Sequence, residues 1–161
     1  MARVRGDKKT LDLLTWRPEA PKVDRFDPVT VRAGTIGARV SKAVSQVLND
    51  AKAREENPLD RDEIAEKMTE FLGLGEDDKV SAHILNAYAS GAREAHNISV
   101  VRAVALAHAT SDFRLLNLLA EELDLCVIPR RYENAVREAI LAEQIENMND
   151  ELKALRRGRK S

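Results

Sequence analysis

The sequence predicts an all-α protein: a helix-turn-helix helical domain with an extended N-terminal arm and a long C-terminal helix. Three observations carry this. Apolar residues recur at helical spacing along most of the chain, with few alternating, strand-like runs. Gly, Pro and the capping residues Ser, Thr, Asp and Asn fall between those periodic stretches, where helices start and stop. A hydrophobic content of 43% with only 4% aromatics suits helix packing by Leu, Ile, Val and Ala. At 161 residues the chain is long enough for one domain with a core, plus appendages. The boundaries read as an arm over 1–34, a helical domain over 35–129, and a long C-terminal helix over 130–161 with a basic tip.

The arm opens with Arg3, Arg5, Lys8 and Lys9 against Asp7, a net of +3 in ten residues. An apolar cluster follows at Leu11, Leu13, Leu14 and Trp16; it either packs on the body or anchors the chain to a partner. Pro18, Pro21 and Pro28 then remove amide donors and disfavour helix in the residue before each, so the segment should be extended or irregular. A first helix should run from about Thr35 to Arg54, with Ile36, Val40, Val44, Val47 and Leu48 on one face. Arg39, Lys42 and Lys52 are then free to face water.

The stretch from Asp60 to His96 reads as helix, turn, helix. Asp60 and Glu63 fit a capping box, and Ile64, Ala65, Met68, Phe71 and Leu72 form one apolar stripe behind it. Gly73 and Gly75 should end that helix, since glycine enters the left-handed conformation most easily. Ser81 caps a second helix, with Ile84, Leu85 and Tyr88 inside and Gly91 near its end. That order is the skeleton of a DNA-reading hairpin. Its second helix, Ser81 to Ser90, offers His83, Asn86 and Ser90, with Arg93 just beyond, side chains able to hydrogen-bond base edges or phosphates. The competing reading is a capped hairpin that only packs.

Asn97 or Ser99 should cap a nearly apolar helix carrying Val100, Val101, Val104, Ala105, Ala107 and His108, the expected centre of the core. Thr110, Ser111 and Asp112 break it, and Asp112 can cap a helix with a wide Leu115, Leu116, Leu118, Leu119 and Leu123 face. Leu125 to Pro129 reads as a short extended tie, expected to be buried. From Arg130 to Leu155 the pattern is one long helix. Leu141, Ile145, Met148, Leu152 and Leu155 are spaced as a heptad seam, which predicts a coiled coil and a homo-oligomer, or a helix laid back on the core. Arg156, Arg157, Arg159 and Lys160 make the basic tip, a solubilising end or a phosphate contact.

Charge is unevenly placed although the formal net is −1. Glu55 to Ala95 holds eleven acidic and four basic residues, a net of −7. Residues 1–54 hold twelve basic and six acidic, a net of +6. Phosphate contacts supply most non-specific DNA affinity, so an acidic reader must import its positive charge, and the arm or the tip would supply it. No chemistry beyond binding is evident. His83, His96, His108 and Cys126 lack metal-ligand spacing, so no metal is expected. The glycines form no phosphate loop, and no nucleophile sits with a base. Neither enzyme activity nor a cofactor is expected. One cysteine permits no internal disulfide, no signal peptide is visible, and the most apolar run is too short to span a bilayer. A cytoplasmic protein that does not enter membranes is the expectation.

The segments LDLLTW from Leu11, DRDEIAEKMTEFLG, VSAHILNAYAS and ISVVRAVALAHATSDFRLLNLLAEELDLCVIP carry a resemblance. From Asp60 to Pro129 the chain resembles the phage CII-type regulatory proteins, and over most of its length it is similar to helix-turn-helix proteins of Mu-like transposable phages and prophages. The loop from Gly73 to Val80 departs from that pattern, being longer and more acidic than a tight DNA-reading turn. The resemblance implies a helix-turn-helix domain with an oligomerising tail, binding double-stranded DNA to control transcription in a phage or prophage. The alternative is a non-enzymatic helical adaptor whose acidic surface binds a basic phage or host protein.

Overall fold

The Thr35 hydroxyl accepts the Ala38 amide at 3.2 Å, satisfying one of the unpaired donors of a helix start, and α1 (Ile36–Lys52) follows. Similar local chemistry begins most of the other helices of this computed structural model, which describes residues 23–90 and 97–158. The Leu11–Trp16 cluster, Arg3, Arg5, Lys8, Lys9 and Arg93 lie outside the described residues. Among those described, α2 (Arg61–Leu72), α3 (Ala82–Ala89), α4 (Val100–Thr110), α5 (Arg114–Glu121) and α6 (Glu133–Gly158) complete an all-helical order with no strand, and a single 3-10 turn at Arg130–Tyr132 leads into α6. Val23–Ile128 forms one compact unit, and the described residues from Pro129 onward belong to another.

Within the Val23–Ile128 unit, α1 supplies the longest buried stripe. Val40, Ala43, Val44, Val47, Leu48 and Ala51 recur every three or four residues, and all are buried. Helix α1 packs on α3 and α5, while α2 packs on α4 and α3. Ile64, Met68, Leu85, Leu106 and Leu115 meet in the resulting core, each at most 1% exposed. Helix α4 is therefore not buried all round, as its apolar sequence suggested. Ala103, Ala105, Leu106 and Ala109 face the core, whereas Val100 and Val101 stay mostly exposed and Val104 partly so. Ser99, not Asn97, caps it, through a 3.3 Å bond from the Arg102 amide.

Two further expectations change at the ends of this unit. Phe26 and Val31, in the stretch read as arm, are buried in the core beside Leu118 and Arg114 of α5. Leu125 to Ile128 does lack helix, but it is not buried: Leu125 is 60% exposed, Cys126 is exposed and Val127 is 37% exposed. Its tie to α5 is made by the backbone, through the Val127 amide on Asn117, and so does not bury its side chains. Leu123 likewise lies past the end of α5 and is exposed. One side chain joins the two ends. Asn117, 2% exposed, donates through Nδ2 to the Asp24 carbonyl at 3.1 Å and accepts the Val127 amide at 2.6 Å on Oδ1. Its amide is thereby satisfied at both atoms, which offsets the cost of burying it.

An ionic tie closes the same side. Arg114 reaches Asp112 at 2.5 Å and Asp50 at 2.6 Å, with its guanidinium 4.6 Å from the centre of the Phe26 ring. Hydrogen bonds to Asp112 raise its pKa above the ordinary arginine value, and Asp50 adds to that. Asp112 also accepts the Arg114 amide at 3.0 Å, but it is not the cap expected of it: Phe113 takes the N-cap position of α5, without a side-chain bond.

Helix α6 is different in kind. Its 26 residues include none that is buried. The seam positions Leu141, Ile145, Met148, Leu152 and Leu155 are all exposed, as are Val136 and Ile140. No helix among the described residues is long and apolar enough to cross a membrane.

Candidate nucleic-acid interface

The hairpin is built from its caps inward. Asp60 accepts the amides of Asp62 and Glu63, both at 2.9 Å, and the Glu63 carboxylate accepts the Asp60 amide at 2.8 Å, completing the capping box. Ile64, Ala65 and Met68 then point into the core, as read from their spacing. Phe71 does not. It is 45% exposed and stacks on His108 of α4, ring centres 4.2 Å apart. Gly73 ends α2 in the left-handed region, φ 62°, and donates to Glu70 and Thr69, a stop that a side chain at this position would strain.

The loop returns to α2 through a contact that spacing does not reveal. The Thr69 hydroxyl donates to the Ala65 carbonyl at 2.8 Å and accepts the Val80 amide at 3.0 Å, while the Val80 side chain is buried. The long acidic connection from Gly73 to Val80 is thus pinned at its far end, just where Ser81 caps α3 by accepting the Ile84 amide at 3.3 Å. Helix α3 buries Leu85 and Tyr88, leaves Ile84 half-buried, and ends at Ala89. The Tyr88 hydroxyl is engaged by Arg102 of α4.

On the opposite side of α3, His83, Asn86 and Ser90 are exposed, in keeping with the face expected for them. Asn86 is not idle there: its amide oxygen accepts from the guanidinium of Arg61, the first residue of α2. Arg61 carries no mark of the site in the sequence, since at 25 positions from Asn86 no local pattern joins the two. The pairing adds the one cation of α2's first turn to the polar edge of α3.

The surroundings are acidic. Asp62, Glu66, Glu70 and Glu76 line a groove between α2 and the following loop, with Thr69, Val80, Ser81 and Lys79 completing its walls. Lys79 pairs with Glu76 at 2.8 Å, and that hydrogen bond holds the Glu76 carboxyl below its ordinary pKa and the Lys79 ammonium above its own. Arg156 and Arg157, the candidate phosphate contacts of the tip, are exposed in the last turn of α6, which belongs to the other unit. Among the described residues no group of three or more His, Cys, Asp or Glu is placed to hold a metal ion. No protein-family model, curated protein or solved structure matches this chain.

Proposed function

We propose that the chain is a DNA-binding transcriptional regulator of a phage or prophage, acting without catalysis as a homo-oligomer in the cytoplasm through a helix-turn-helix formed by α2 and α3. The observation that carries this is the edge of α3. A helix held by a cap at Ser81 and by two buried side chains presents His83, Asn86 and Ser90 outward, with Arg61 beside them. Such residues suit base edges in a major groove, where an amide can pair with adenine and a guanidinium with guanine or phosphate. The resemblance to phage CII-type and Mu-like phage proteins supports the same reading. Positive charge would come from the first ten residues and from Arg156 and Arg157.

The test separates base reading from charge. Asn86→Ala should lower affinity for a specific duplex, selected from the genome by pull-down with the purified protein, by about 1–3 kcal/mol. Non-specific binding should hardly change, because only base contacts carry sequence information. Deleting the first ten residues should weaken binding to every duplex and flatten its salt dependence. If the wild-type protein retards no duplex even at low salt, the DNA reading fails.

A second reading rests on the groove of Asp62, Glu66, Glu70 and Glu76. Four carboxylates lining one groove suit an adaptor for a basic phage or host protein better than a phosphate backbone. Charge reversal at Glu66 and Glu70 would then abolish capture of that partner, whereas for a DNA reader the same change would strengthen binding.

A further inference from the structure

We infer that α6 pairs with α6 of a second copy of this chain in parallel and in register, forming a short two-stranded coiled coil over Leu141–Leu155 that brings the two Arg156–Arg157 ends together. This deepens the homo-oligomer part of the proposed function and makes no use of its DNA part.

The seam defines the register. Spacings of four, three, four and three place Leu141, Met148 and Leu155 at the d positions of a heptad, with Ile145 and Leu152 at a. All five are exposed on a helix that buries nothing, between 44% and 69%. Val136 and Ile140 fall off this seam, and position a before Leu141 is Glu138, so pairing starts at Leu141.

Orientation follows from what each arrangement sets opposite each residue. In parallel, in-register pairing every seam residue meets its own copy, which makes five apolar layers. Antiparallel pairing sets a against d. Matching Ile145 with Met148 of the second copy puts Leu155 opposite Glu138; matching Ile145 with Leu155 carries Leu141 past the end of the described helix. Either way one leucine from each chain loses its cover, whereas the parallel register covers all five layers.

The flanking charges point the same way. In the parallel pair, Glu151 at position g faces Arg156 at position e of the second copy, an attraction made twice by symmetry. In the first antiparallel register Glu151 faces Gln144, and in the second it faces the other Glu151, which repels. A β-branched Ile145 at a with leucine at d also favours two parallel strands. Two heptads are short, so association should be concentration-dependent, weak at low micromolar and evident near millimolar protein.

The full-length chain tests this. With Cys126→Ser as background, Leu141→Cys and Leu155→Cys are made separately, and mass is followed by sedimentation under reducing conditions over rising concentration. Each variant is then oxidised. Parallel pairing predicts a mass rising toward two chains, and a covalent dimer from each variant on its own. Antiparallel pairing holds each new cysteine at least about 15 Å along the axis from its copy, too far for a disulfide, so neither variant would cross-link on its own. A doubled mass with no covalent dimer from either variant on its own overturns the orientation and leaves self-association standing. A mass that stays at one chain overturns both, and a limiting mass of three or four chains overturns the two-stranded coil. If a cysteine variant alone fails to associate, the Cys126→Ser background carries the mass test, and the remaining cysteine variant decides the orientation by the same criterion.

Discussion

In the Val23–Ile128 unit, Val44, Leu48, Ile64, Met68, Leu85 and Leu106 are at most 1% exposed; along α6, Ile145, Met148 and Leu155 are more than 60% exposed. The two regions carry apolar stripes of similar chemistry. What differs is the company each stripe keeps. The helices of the first unit are 8 to 17 residues long and pack pairwise on one another, so each can turn its stripe toward the others. Helix α6 runs 26 residues, and its seam repeats every 3.5 residues, a period that drifts around a straight helix and suits a supercoiled partner. A stripe states that a face needs cover. Its period and length indicate whether the cover is the chain's own.

The largest effect expected from this difference is in the core. Leu106 is 0% exposed between helices that have no other way to close, so Leu106→Ala should cost about 2–5 kcal/mol, the range for buried large-to-small changes. Chemical denaturation followed by circular dichroism measures it. A loss below about 1 kcal/mol, the ordinary cost of a point mutation, would mean that the unit is no better packed than α6 and would remove the contrast.

Much of the unit was legible because its determinants are local. Thr35, the Asp60–Glu63 box, Ser81 and Gly73 each act within four residues, and each lies where spacing placed it. Most of the misjudged features are long-range. Nothing near Phe26 shows that it will lie under Arg114, and nothing near Asn117 shows that it will clasp a carbonyl 93 residues earlier. The same holds for the candidate site. The exposed edge of His83, Asn86 and Ser90 followed from helical period, whereas Arg61 joins it only through the fold. Helix α4 misled for a different reason: alanine and valine look alike in a hydropathy pattern, but the small alanines face the packed helices and the valines face out.

A smaller effect is expected where the unit is tied by charge. Arg114→Met removes the partner of Asp112, whose side chain is only 8% exposed, and also frees Asp50, which is 38% exposed and can turn to water. The expected loss is roughly 1–3 kcal/mol, the cost of leaving a buried acceptor unsatisfied. The pH dependence has a definite sign. A base whose folded pKa is raised stabilises fully below its unfolded value and loses that stability only as pH rises through the folded one. Because the arginine value is already very high, the Arg114 contribution should stay level across the neutral range. A wild-type-minus-variant difference in stability that falls steeply between pH 7 and 9 would show that the tie works in some other way.

The smallest effect, and the one that tests the other side of the contrast, belongs to Ile145→Ala. Ile145 is 61% exposed on a helix with no buried residue, so the melting of the Val23–Ile128 unit should move by no more than about 0.5 kcal/mol. The helix itself should respond in two opposed ways. Alanine is the better helix former, by a few tenths of a kcal/mol (roughly), so in dilute protein the far-ultraviolet signal of helix should rise slightly. In concentrated protein the same change deletes an apolar layer, and helix held by pairing should be lost, so the signal should fall relative to wild type. A change of sign with concentration is what a helix stabilised by a second copy requires. If the signal falls by the same amount at every concentration, Ile145 is covered within its own chain and α6 is not the exposed partner of this comparison.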